Sequence, residues 1–205
     1  MRRLFNVALG MLCAASIMGC SAKADNAESQ ATTIAQESAA TKEEETSETN
    51  EVAPTPGQWA INNNFKAIDN VNAMSAFEKA TEDLVGYRYD VAAVLGSQIV
   101  AGTNYLYLCR AEMVVPDAKP EYVIIKVYED LEGNAEVTGS LRLLEGKEGW
   151  EYNDANPYME ENEEVKAAFD KALEGLTGVE HKPIAYIGYK DNSYAVLTKI
   201  TITSV

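Results

Sequence analysis

Two residue types that carry nucleophilic or acid–base chemistry are scarce in this 205-residue chain: three cysteines and one histidine. A thiol becomes a nucleophile when a base or cation lowers its pKa, so position decides what each can do. Cys13 and Cys20 lie in the first twenty residues. Cys109 sits in an alternating run, on the same strand face as Tyr105 and Tyr107. It reads as a small buried hydrophobe; a reactive thiol is the weaker alternative. His181, between Glu180 and Lys182-Pro183, reads as a loop residue with no serine or cysteine motif to serve. Asp130-Leu131-Glu132-Gly133-Asn134 is rich in oxygen but lacks the spacing and closing glutamate of a calcium loop, and reads as a solvated turn. Residues 151–157 read as a second acidic turn. There is no phosphate loop, metal-ligand cluster or pair of catalytic carboxylates, so neither an enzyme nor a cofactor is expected. A net charge of −15 argues against nucleic acid and anionic membrane surfaces as partners.

The N-terminal residues have the pattern of a leader. Arg2 and Arg3 precede a short apolar run, Leu4 to Met18, too short to span a bilayer. Ile17-Met18-Gly19-Cys20 then resembles the lipobox of bacterial lipoproteins. The resemblance implies a signal peptide over 1–19, lipid on Cys20, and a membrane-anchored protein of the cell envelope. An ordinary signal peptide with an incidental cysteine is the alternative. Residues 20–56 read as a disordered acidic tether: Ala, Ser, Thr, Glu, Asn and Gln, the run Glu43-Glu44-Glu45, and no aromatic residue. A flexible chain of that length reaches about 30–40 Å root-mean-square. Once Cys13 leaves and Cys20 carries lipid, Cys109 has no partner for a disulfide.

The remaining residues, about 150, suffice for a real core. Gln58 to Ile61 suggests a short strand. A helix is expected over 71–85, because Ala73, Phe77, Ala80 and Leu84 make one stripe, with Gly86 as its C′ residue. Strands are expected at 87–99, 103–115, 121–129 and 135–144, giving an α+β fold with a helix on an antiparallel meander. Leu106 and Leu108 make the second face of their strand apolar too, so the second unit is expected over part of it; two simply exposed leucines are the alternative.

The chain then repeats in part. "AFEKATEDLVG" (76–86) resembles "AFDKALEGLTG" (168–178), and "VAAVLGSQ" (91–98) matches "PIAYIGYK" (183–190). Trp150 falls where Trp59 does. The second helix is expected over 163–176 with Asn162 as N-cap. Residues 57–146 would form one domain, and 147–205 a truncated second helix-plus-hairpin unit whose tip, Lys190 to Ser193, is polar.

"QIVAGTNYLYLCR" (98–110) places an apolar, nearly side-chain-free turn where hairpin tips are usually polar. This stretch resembles the first inhibitory loop of the cystatin superfamily, Gln-x-Val-x-Gly, and is most similar to the stefin branch. "YVIIKVYEDL" (122–131) and "VTGSL" (137–141) are similar to stefin strands on either side of the second loop, and the missing disulfide fits. The resemblance covers about 57–144. It implies reversible inhibition of papain-like cysteine proteases by a three-part wedge. Its parts would be Gly57 in the N-terminal trunk, Gln98, Ile99, Val100, Ala101 and Gly102 in the first hairpin, and Leu131, Glu132, Gly133 and Asn134 in the second. The second hairpin departs from the family: it has no Trp or Pro, and Glu132 stands where stefins tend to place proline. The alternative is a non-inhibitory binding or structural lipoprotein on the same scaffold, since fold alone does not imply function.

Overall fold

The structure is a computed structural model that describes residues 3–8 and 55–203. Cys13, Cys20 and the tether up to residue 54 lie outside the described residues. Arg3–Ala8, expected in a leader, forms β1, which pairs in parallel with the last strand. The other elements run β2 (Trp59–Ile61), α1 (Val71–Thr81), β3 (Tyr87–Val100), β4 (Gly102–Met113), β5 (Glu121–Glu129) and β6 (Ala135–Arg142). After them come β7 (Glu151–Tyr152), α2 (Glu163–Leu173), β8 (Val179–Lys190) and β9 (Ser193–Ile202), and a single 3₁₀ turn precedes each helix. The fold is α+β. One sheet has the order β2-β3-β4-β5-β6, all antiparallel, and the other β1-β9-β8-β7.

Strand alternation divides the core into three layers. Tyr107, Cys109, Val123, Ile125 and Val127 face α1 through Ala73, Ala76 and Phe77. The Tyr107 hydroxyl donates to the Ala73 carbonyl at 2.6 Å, and its ring lies 4.9 Å from that of Phe77. On the opposite face Leu108, Leu95, Tyr122 and Ile124 pack against Ala185, Ile187, Ala195 and Leu197 of the second sheet. Tyr186, Tyr194 and Val196, pointing away from that layer, receive Val165 and Phe169 of α2. The order is therefore helix, sheet, sheet, helix, with Leu108 buried and Leu106 partly buried against the second sheet.

The same local geometry occurs twice. Gly96 pairs with Ile61 and Gly188 with Tyr152; a Cβ would stand 2.4 Å from the Ala60 carbonyl oxygen in the first case and 2.2 Å from that of Glu151 in the second. Only glycine permits this approach. The Asn62 amide donates to the Val94 carbonyl (3.0 Å) and the Asn153 amide to that of Tyr186 (3.3 Å). The Asn70 amide bonds the carbonyls of Asn64 and Lys66; the Asn162 amide bonds those of Asn156 and Tyr158. Two register shifts interrupt β3 against β4, at Val91/Ala93 and Val94/Gly96, and two interrupt β8 against β9, at Pro183/Ala185 and Tyr186/Gly188.

Several boundaries differ from expectation. α1 ends at Thr81, whose hydroxyl folds back onto the Phe77 carbonyl at 2.8 Å, and Leu84, expected in the buried stripe, is exposed beyond it. α2 likewise stops at Leu173. Asn162 stands at the N-cap position of α2, its carbonyl accepting the Lys166 N–H at 2.9 Å, but it makes no side-chain cap bond; its amide nitrogen donates to the Asn156 and Tyr158 carbonyls of the preceding loop. His181 is a strand residue of β8 opposite Ile200.

Cys109 is fully buried. Burial, with Asp90 adding to it, pushes its thiol far above the ordinary range. The folded chain thus holds this proton to higher pH than the unfolded chain does. Its contribution to stability is full below the ordinary thiol range and is lost as pH rises from that range toward the raised native value. The native protein at pH 8 should therefore leave Cys109 unalkylated by iodoacetamide for hours, and guanidinium-unfolded protein should be labelled there; peptide mapping that found rapid native labelling would contradict this burial.

Candidate functional site

The strand ends converge at one edge of the five-stranded sheet. β3 and β4 turn at Ala101, with Val100 opposite Gly102. β4 runs beside β5, Thr103 against Glu129, so the β5–β6 loop at 130–134 lies next to the first tip. β2 joins β3 on the other side, Trp59 opposite Gln98, which brings in the trunk. All ten residues predicted for the wedge thus sit at one end of one sheet.

The first tip is held from both flanks. Gly57 donates its backbone N–H to the Ile99 carbonyl at 2.7 Å. The Gln98 amide donates to the Gly57 carbonyl at 2.8 Å and accepts from the Asn104 amide at 3.0 Å. Opposite, the Tyr128 hydroxyl donates to the Ala101 carbonyl. Ile99 and Val100 are each 41% exposed, two apolar side chains on a tip whose backbone is already bonded. Gly102 is buried, with φ +109°, and a Cβ there would meet the Glu129 carbonyl oxygen at 2.3 Å. It is a turn-forming residue and not an open position at the tip.

The second loop has its own frame. The Asp130 carboxylate accepts from the backbone N–H groups of Glu132 (2.9 Å) and Asn134 (2.8 Å) and from the Asn134 amide (2.8 Å). These bonds, led by the Asn134 side chain, hold its pKa below the usual carboxylate value. Lys79 of α1 donates to the Gly133 carbonyl at 2.9 Å and pairs with Glu129 at 3.3 Å, tying the loop to the helix. Leu131 projects from it, highly exposed. Glu132 is exposed as well.

Sequence reasoning missed Tyr128, Asn104, Asp130 and Lys79, the residues that fix the loops from behind. Register could have found two of them: Tyr128 lies opposite Asn104, which lies opposite Gln98. Among the described residues no group of three or more His, Cys, Asp or Glu is arranged to hold a metal. The edge offers hydrogen-bonded backbone and the exposed apolar side chains of Ile99, Val100 and Leu131.

No family model, curated protein or solved structure matches this chain.

Proposed function

We propose that this protein is a stefin-like reversible inhibitor of papain-like cysteine proteases, with its wedge formed by Gly57, residues 98–102 and residues 131–134. The observation that carries the reading is the first tip, where Ile99 and Val100 are presented on a hairpin bonded from both flanks. A hairpin of this kind fills a cleft at low entropic cost, because its conformation is set before docking. The strand order β2-β3-β4-β5-β6, with α1 between β2 and β3, agrees with the arrangement the resemblance implies. The paired asparagine bonds and glycine contacts favour a duplicated unit whose second copy stops after β9. Its hairpin passes from Lys190 to Ser193 through two polar residues, where the first passes from Gln98 to Asn104 through five. The second tip therefore lacks the projecting apolar residues.

Papain assayed with a small fluorogenic peptide tests the reading. Added protein should lower the rate, and dilution should restore it; an unchanged rate at micromolar protein would count against it. The Ile17-Met18-Gly19-Cys20 run supports a lipid anchor at Cys20, with the domain held outside the cytoplasm. Replacing Cys20 by Ser should move the protein from the membrane to the soluble fraction, and continued sedimentation with membranes would refute the anchor.

A further inference from the structure

We infer that Gln98 is a positioning residue of the wedge, a latch that holds the trunk at Gly57 against the first hairpin through bonds internal to the free chain. Its effect on affinity rests on the inhibitory reading above; the latch is a property of the free chain.

Both polar ends of Gln98 are occupied internally. Its oxygen accepts from the Asn104 amide, whose residue is buried, and its nitrogen donates to the Gly57 carbonyl. The Gly57 N–H returns a bond to the Ile99 carbonyl. Three bonds thus connect the buried base of the hairpin, the side chain of Gln98 and the trunk. A primary amide can accept from a buried donor and donate to a carbonyl at once, whereas a carboxylate cannot donate and an ammonium cannot accept.

The second half of the chain supplies an independent instance. Lys190 stands on β8 where Gln98 stands on β3, each two residues beyond the glycine of close approach, Gly188 or Gly96. Glu148 precedes Trp150 by two residues, as Gly57 precedes Trp59. The Lys190 ammonium donates to the Glu148 carbonyl at 2.8 Å, the counterpart of the Gln98 bond to Gly57. Its partner across the hairpin is Ser193, where Gln98 faces Asn104. A donor-only side chain therefore suffices there. Two residue types performing one task at one place in the fold mark the position as structural.

The test uses the full chain. Gln98→Glu keeps an acceptor for Asn104 and removes the donor to Gly57; Gln98→Lys keeps a donor, as Lys190 does. Amide hydrogen exchange at Gly57 should quicken about tenfold in Gln98→Glu, stay close to wild type in Gln98→Lys, and remain unchanged at Tyr107 and Val127 in both. Against papain, Gln98→Glu and Gly57→Val, which strains a residue at φ +81°, should each weaken inhibition about tenfold, and the double variant should be no weaker than either alone. Unchanged exchange at Gly57 in Gln98→Glu, lost protection in Gln98→Lys, or a double variant weakened about a hundredfold would overturn the latch. If the wild type does not inhibit papain, the inhibitory reading falls and exchange at Gly57 alone still decides the latch.

Discussion

Val100→Asp should weaken papain inhibition about 10²- to 10³-fold while leaving the melting temperature within about 2 °C of wild type. The side chain is exposed in the free protein, so a carboxylate there stays hydrated and costs the fold little. In a cleft the same carboxylate would be desolvated without a partner, a penalty of several kcal/mol, and each 1.4 kcal/mol is tenfold in affinity. Inhibition assays on the folded variant decide it, and a variant that inhibits like the wild type removes Val100 from the wedge. Gly102, at the end of the Gln-x-Val-x-Gly run, would make a poor site for this experiment. Any side chain at Gly102 meets the Glu129 carbonyl and must adopt a left-handed conformation, so lost inhibition there would report a deformed hairpin.

Leu108→Ala should destabilise the protein by about 3–4 kcal/mol and lower its melting temperature by roughly 10 °C. Leu108 has no exposed surface and lies in the layer between the sheets, among Leu95, Ile124, Ile187 and Leu197. Removing its branch leaves a cavity that neither sheet can fill without shifting against the other. Calorimetry of the variant checks the magnitude. A loss below about 1 kcal/mol would mean that the two sheets do not share a tight core.

Much of this was legible because strand period and burial agree. The run from Tyr105 to Cys109 is apolar on both faces, and a single helix covers one, which pointed to a second layer over part of the other before any contact was known. Alternation alone separates Tyr107 and Cys109 from Leu108; that the first pair faces α1 and Leu108 the second sheet is seen only in the structure. Helix ends were less legible. Leu84 continues the apolar spacing, but the helix stops at Thr81 and the Leu84 N–H bonds the Thr81 carbonyl in a following turn, which periodicity does not encode. Asn162 holds the N-cap position that asparagine favours, but its amide bonds the loop before the helix in place of a side-chain cap, as Asn70 does in the first half. At the candidate site the tip was visible as a motif. Two of the residues that hold it are distant in sequence, Gly57 being 41 residues from Gln98 and Tyr128 27 from Ala101, and only the strand register brings them together.

The central claim is that the edge formed by Gly57, residues 98–102 and residues 131–134 occupies the cleft of a papain-like protease. Titration of a fixed amount of papain with the purified chain, followed by residual hydrolysis of a small peptide substrate, tests it most directly. The account predicts a reversible fall in activity that competes with substrate and is largely lost in Val100→Asp. Full papain activity at micromolar protein, or inhibition that Val100→Asp leaves intact, would contradict it.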